Sequence, residues 1–255
     1  MGREGKNHHD PVMWLFGHRG QRIHTEAKSN FLTITIDNAP VNTLDSVAYQ
    51  ELHDVFEQLL MATTFSAVLL RANHQCFSAG QDRRDVPISP ADQSSYLKDA
   101  ASALALATRC PIPVVAGVKS AAIGAGLILA LTADILVIDE QATLSLPERK
   151  FGVISGYAHL AQWLGRAAAV GVLTGDPIDP QSFVPGGGIL MPHDQVDAEA
   201  ERIALSIATS NPSFIVATKS MWSHTRASVA QAYLAEIEQT ISQGSMNFSL
   251  PMSAD

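Results

Sequence analysis

The chain has 255 residues, of which 46% are hydrophobic and only 16% charged, and its formal net charge is -8. That length suffices for one large core and sits at the upper end for a single domain. The acidic balance excludes a general nucleic-acid surface, though not a local basic patch for a phosphorylated small molecule, and so apolar a composition leaves surface that other subunits would cover.

Residues 1–28 are interrupted by charges, by the pair His8-His9 and by Gly17 and Gly20. They contain no apolar run of signal-peptide or membrane-spanning length and read as a peripheral arm. His8, His9, His18 and His24 lack a metal-ligand spacing, so no metal is expected there. Residues 30–37 (NFLTITID) predict a strand that stops at the turn signal Asn38-Ala39-Pro40. Thr43 or Asp45 then caps a helix whose Val47, Leu52, Val55, Phe56, Leu59 and Leu60 recur at helical spacing, with His53 as a surface or boundary residue. Residues 67–71 (AVLLR) are apolar almost throughout, as in a strand covered on both faces. The segment CFSAGQD (76–82) follows, then a polar connection containing Pro87 and Pro90, then a helix over 91–108. Pro111 and Pro113 force an extended entry into the next strand, 114–118.

The following thirty residues organise the chain: KSAAIGAGLILALTADILVIDEQATLSLPE, 119–148. Gly124 and Gly126 flank Ala125 where a strand has ended and a helix begins, so free backbone N–H groups there can face a ligand oxygen; close backbone packing is the other reading. Residues 133–138 and 142–146 read as short strands, and the strand–helix alternation implies layered sheets with helices outside. Residues 156–173 are Ala- and Leu-rich with a break at Gly165, and LTGDPIDPQ forms a capped turn in which Asp176 is a turn or cap residue. GGGILM leads to a short strand. Residues 196–210 carry one apolar stripe (Val196, Ala200, Ile203, Ala204, Ile207, Ala208), Pro212 opens a helix towards Lys219, and a third helix covers 228–244. Cys76 and Cys110 each adjoin an apolar run, which predicts buried thiols and a reducing, cytoplasmic setting. No P-loop, dinucleotide fingerprint or zinc-type ligand set is present in the sequence.

FSAGQD (77–82), AAIGAGL (121–127), ADILVIDEQATL (133–144) and LPE (146–148) together resemble the crotonase superfamily, the enoyl-CoA hydratase/isomerase group. IDNAPVNTLDSVAYQEL (36–52) is similar to that family's first strand and helix, and VLTGDPID (172–179) to its second-half signature, so nearly the whole chain is covered. The resemblance implies an α/β fold of the ClpP/crotonase type, a spiral of ββα repeats over 29–194. It also implies a C-terminal helical region, 195–255, that covers the site and builds a homotrimer or a dimer of trimers. The implied substrate is an acyl-CoA thioester, with coenzyme A as part of the substrate and no further cofactor, and with neither nucleic acid nor membrane as partner.

Thioester enolate chemistry needs two backbone donors aimed at the developing oxyanion and one general base. The resemblance puts the donors on the N–H groups of Gln81 and Ala125, with Ala79, Gly80 and Gly124 shaping the hole and Asp82 supporting its loop. The Gln81 side chain stands where the family has a small residue and alters the pocket. The hydratases' first glutamate falls on Ile128, which cannot hold water, and their second on Glu148. One glutamate at that place is the pattern of the Δ3,Δ2-enoyl-CoA isomerases. Isomerisation by Glu148 is therefore expected ahead of hydration, of a lyase or hydrolase reaction, or of a catalytically weak acyl-CoA-binding role. In a chain without these motifs, a glutamate beside Arg149 and Lys150 would be a surface ion pair. The family's Pro-Gly and Gly-Gly-Thr loop is replaced by Ile154-Ser155-Gly156-Tyr157-Ala158-His159. Tyr157 and His159 are thus either an alternative acid and base in the pocket or packing residues. Arg83, Arg84 and Lys219 are the candidates for the coenzyme A phosphates, or else solvated charges.

Overall fold

The computed structural model describes residues 17–28, 30–62, 64–244 and 246–248. The first strand, β1 (Ile23–Lys28), is antiparallel to β2 (Phe31–Ile36), with Ile23 opposite Ile36 and Lys28 opposite Phe31. It lies in the stretch expected to be a peripheral arm, and that expectation fails here for a physical reason. IHTEAK buries only its Ile23 and Thr25 side, as an edge strand does, so its pattern carries little apolar signal. Its anchor is remote in sequence: the Glu51 carboxylate accepts from the N–H groups of Gln21, Arg22 and Ile23 at 2.7–2.9 Å. His8 and His9 lie outside the described residues.

From β2 onward the chain lays down a long strand, a short strand and a helix, three times over. The first turn is β2, β3 (Thr43–Leu44) and α1 (Ser46–Met61); the second is β4 (Ala67–Ala72), β5 (Gly80–Gln81) and α2 (Pro90–Thr108); the third is β6 (Val114–Val118), β7 (Ala121–Ile123) and α3 (Ala125–Leu131). A fourth turn contributes β8 (Ile135–Asp139) and β9 (Thr143–Ser145). The long strands stack into a six-stranded sheet, order β1-β2-β4-β6-β8-β10, parallel from β2 onward, while β3 pairs with β5 and β7 with β9. This is the spiral of ββα turns that the motifs implied. Local chemistry supports it: Asp45 accepts from Ala48 N–H at 2.8 Å to cap α1, and Ser89 caps α2 with Pro90 at the first helical position.

After β9 come α4 (Tyr157–Leu164) and α5 (Ala168–Thr174), parted at Gly165 (φ +56°), and then β10 (Ile189–Met191). α6 (Val196–Ala208), α7 (Pro212–Ser220) and α8 (Ser223–Gln243) complete the described chain, α8 starting five residues before the 228 expected. The sheet is buried on both faces, which is why β4 and β6 read as nearly continuous apolar runs and why even Thr33 and Thr35 of β2 are buried. α1, α2 and α3 cover one face; α6 covers the other, where Val196, Ala200, Ala204 and Ala208 pack on Phe31, Ala67, Leu69, Val115 and Val137. α8 packs back against α2 and α4.

The turn between β2 and β3 holds the loop after β4. Asn42 is fully buried with φ +54°, and its Nδ2 donates to Cys76 O at 2.8 Å and also to Asn73 O, while its own carbonyl accepts from Ser78 Oγ at 2.6 Å. The position therefore needs an asparagine that tolerates left-handed backbone and satisfies two buried carbonyls. Asn42→Ala is expected to cost about 2–4 kcal/mol, from two orphaned carbonyls and backbone strain. Urea denaturation checks this, and an unchanged midpoint would contradict it.

Candidate active site

The loops that follow β4 and β6 are stitched together by their backbones. Ser78 N–H donates to Ala121 O (3.1 Å) and Ile123 N–H to Ser78 O (3.0 Å). A Cβ at Gly126 would lie 2.6 Å from Ser78 Cβ, and one at Gly80 (φ +86°) would lie 2.4 Å from Ile123 O, so both approaches require glycine. In the first loop Ala79 N–H bonds Val41 O, Asp82 N–H bonds Leu44 O and Gly80 N–H bonds Ser78 Oγ. In the second, Gly124 N–H bonds Ser145 O at 2.8 Å, and Ala125 opens α3, where the helix offers its N–H no carbonyl four residues back.

Glu148 arrives beside them on a single 3-10 turn, Pro147–Phe151, directly after β9. Gly124 (φ +54°) leaves it room, since a Cβ there would fall 2.6 Å from Glu148 Oε1. Glu148 Oε2 is buried and has no hydrogen-bond partner among the described residues. Burial raises its carboxyl from the ordinary 4.5 to about 8, opposed only by its own backbone N–H, so the group is predominantly protonated at neutral pH. Ala79, Gly80, Gln81, Gly124, Ala125, Ile128 and Glu148 all line one cavity of about 600 Å³. Its other walls include Tyr49 of α1, Leu97 and Ala100 of α2, and Tyr233 and Ile237 of α8. Arg83, Arg149 and Lys150 also border it; the Arg83 guanidinium lies 5.0 Å over the Phe151 ring and donates to Phe248 O at 3.0 Å.

A model of the enoyl-CoA hydratase/isomerase family matches residues 26–248. The chain belongs to that family, within the crotonase superfamily. Among its relatives, a (7aS)-7a-methyl-1,5-dioxo-2,3,5,6,7,7a-hexahydro-1H-indene-carboxyl-CoA hydrolase from Mycobacterium tuberculosis is 30% identical over 205 residues, 76% of this chain and 81% of the relative. A 2,3-dehydroadipyl-CoA hydratase from Escherichia coli is 28% identical over 216 residues, 82% and 84% of the two chains. The crystal structure of an enoyl-CoA hydratase/isomerase from Xanthobacter autotrophicus superposes with a TM-score of 0.80 over 90% of each chain at 23% identity, a likeness of fold.

Not every family-derived expectation lands in the cavity. His159 is completely buried behind it: Thr108 Oγ1 donates to Leu104 O and so accepts from His159 Nε2–H at 2.8 Å, and the imidazole packs edge-on to Tyr233 at 4.8 Å. Burial, with Arg226 nearby, holds its pKa down at about 3, so it is a neutral packing residue. Tyr157 sits half-exposed at the start of α4 and does not line the cavity. Lys219 is also misplaced for a phosphate ligand. It is 3% exposed, donates to both oxygens of Asp134 at 2.6 Å and lies beside Trp222, because a buried ammonium needs a counter-charge. Arg84 is turned back in a bidentate pair with Asp82 (2.9 and 2.7 Å), which in turn accepts from Thr43; Asp82 thus braces the loop and does not face the cavity. Of the three expected cations only Arg83 borders it, joined by Arg149 and Lys150, whose position directly after Glu148 was the available signal. Tyr49 and Tyr233 were missed because an aromatic at helical spacing reads as core. Both cysteines are buried free thiols, and no described helix is long and apolar enough to cross a membrane.

The raised carboxyl has a consequence for stability. Between about pH 4.5 and pH 8 the unfolded chain has lost the Glu148 proton while the folded chain keeps it, so the contribution of this group to stability falls as pH rises through that window. Glu148→Gln, which cannot ionise, is expected to gain on the wild type by on the order of a few kcal/mol between about pH 5 and about pH 8. Urea midpoints of both proteins at the two pH values check this; a difference independent of pH would mean an ordinary carboxylate.

Proposed function

We propose that the protein is an acyl-CoA enzyme in which Glu148 alone moves protons on a thioester enolate held by the N–H groups of Gln81 and Ala125. The observation that carries this reading is the Glu148 carboxyl against Gly124, its Oε2 buried and unpartnered among the described residues, next to Ala125, with Ile128 in the same cavity. The thioester oxygen would sit between the two donors, where negative charge developing in the transition state meets fixed dipoles in a site shielded from water. The ionised form of Glu148 takes a proton from the carbon beside the thioester carbonyl. The carboxylic acid so formed returns it two carbons further on, which shifts a double bond from the 3 to the 2 position. Hydration is less favoured because Ile128 offers the attacking water no hydrogen bond. Arg83, Arg149 and Lys150 supply the charge for the coenzyme A phosphates. A second reading is hydrolysis of a 3-oxo thioester: water adds to the 3-oxo carbonyl, the C2–C3 bond breaks to give a carboxylic acid, and the thioester enolate left between the two donors takes a proton at C2. It is favoured by the relative named as a ring-bearing acyl-CoA hydrolase at 30% identity.

A panel of 2-enoyl-, 3-enoyl- and 3-oxoacyl-CoA thioesters separates these readings. Isomerisation of the 3-enoyl ester is expected to dominate. Its kcat/KM is expected to rise about tenfold per pH unit and level off above about pH 8, because only the ionised base abstracts the proton. Glu148→Gln is expected to lower kcat by about a thousandfold while thioester binding persists, since the backbone donors remain. Preferred cleavage of the oxo ester would favour the hydrolase. Binding without turnover would mark an acyl-CoA-binding protein, and full activity in Glu148→Gln would remove Glu148 as the base.

A further inference from the structure

The cavity holds two polar groups that the proton transfer does not use. Tyr49 is only 3% exposed, and its hydroxyl is buried without a hydrogen-bond partner among the described residues. Gln81 Nε2 is likewise buried and unpartnered, and this side chain stands where the family resemblance leads one to expect a small residue. Both residues line the cavity that contains Glu148. Each orphaned donor carries a desolvation cost that a leucine or phenylalanine in its place would avoid. Buried, unpartnered donors in a cavity wall are explained if a ligand completes them.

The two are also placed by the same piece of structure. Leu44 pairs with Gln81 in the short β3–β5 ladder, and α1 begins two residues later, with Tyr49 N–H closing its first turn onto Asp45 O at 3.0 Å. Tyr96 packs edge-on against the Tyr49 ring at 6.1 Å and limits its rotation. Leu97, Ala100 and Ile237 line the same cavity and offer no competing hydrogen bond from their side chains. Burial first, then Tyr96, Tyr233, Glu148 and Asp45, keep the Tyr49 phenol neutral, so it can donate at any pH the enzyme meets.

We infer that this end of the cavity recognises an acyl group carrying its own acceptor oxygen, a keto or hydroxyl group beyond the reacting carbons, through the Tyr49 hydroxyl and the Gln81 side-chain amide. The inference rests on the acyl-CoA reading above and adds a substrate class to it. Plain hydrocarbon acyl chains leave both donors unpaired and are the poorer ligands. A site built to hydrogen-bond a substrate group discriminates against the analogue that lacks it.

The experiment is calorimetric binding of hexanoyl-CoA and of its 4-oxo and 5-oxo counterparts to wild type, Tyr49→Phe and Gln81→Met. Methionine keeps the Gln81 backbone N–H, and two independent variants guard against one failing to fold. At least one oxo ligand is expected to bind the wild type about tenfold more tightly than hexanoyl-CoA, and that ratio is expected to fall towards one in both variants. Equal binding of the three ligands to the wild type overturns the inference while leaving the acyl-CoA reading intact, as does a ratio that survives both substitutions. If none of the three binds, the acyl-CoA reading fails and the inference fails with it.

Discussion

The contact between the backbones of the 78–82 loop and the 121–126 loop sets the rest of the site. Two neighbouring turns of the spiral can touch there because Gly80 and Gly126 present no Cβ to Ile123 O and to Ser78. Gly124 continues the same surface and leaves space for the Glu148 carboxyl. The close approach thus does two things. It brings main-chain donors from separate turns to one place, and it removes the solvent that would otherwise hold Glu148 ionised. Desolvation is the cause of the raised carboxyl: the opposing influence on it is its own backbone N–H, with no cation contributing.

Charge is handled differently elsewhere in the molecule. Asp134 receives Lys219 at 2.6 Å and Trp222 Nε1 at 3.1 Å, with Arg226 3.9 Å away, so three C-terminal side chains converge on one buried carboxylate. Removing one member of such a group leaves an uncompensated charge, which costs about 3–5 kcal/mol in other proteins. The cluster ties the start of α8 to the end of α3, and α8 in turn carries Tyr233 and Ile237 to the cavity wall. A buried carboxylate with partners is structural glue here, while a buried carboxyl without them is chemical potential.

The central strands were legible because parallel strands buried on both faces appear as short apolar runs, and AVLLR and VVAGV gave such runs; their winding into a spiral came only from the family resemblance, since the ββα turns share no repeated sequence. The loops were legible because close backbone approach demands glycine, and FSAGQD and AAIGAGL show it at fixed places. β1 was hidden because IHTEAK buries one side only and owes its place to Glu51, a contact some thirty residues away that no local pattern encodes. Lys219 was misread, and His159 stayed open between chemistry and packing, because the sequence gives their type and not their depth. A lysine at the end of an amphipathic helix reads as a surface cation until Asp134 is seen beside it, and a histidine near the catalytic loop resolves to packing only when Thr108 and Tyr233 are seen to enclose it. Tyr49 fell on an apolar helical stripe, so only the structure reveals that its ring serves the core while its hydroxyl has no partner among the described residues.

The central claim is that Glu148 is a buried acid whose proton is held by desolvation alone. Carbon-13 NMR of protein labelled at the glutamate side-chain carboxyls tests it most directly, with Glu148→Gln identifying the resonance. The account predicts one glutamate carboxyl that titrates with a midpoint near pH 8 and vanishes from the variant. A Glu148 resonance that titrates near the ordinary value of 4.5 would contradict it.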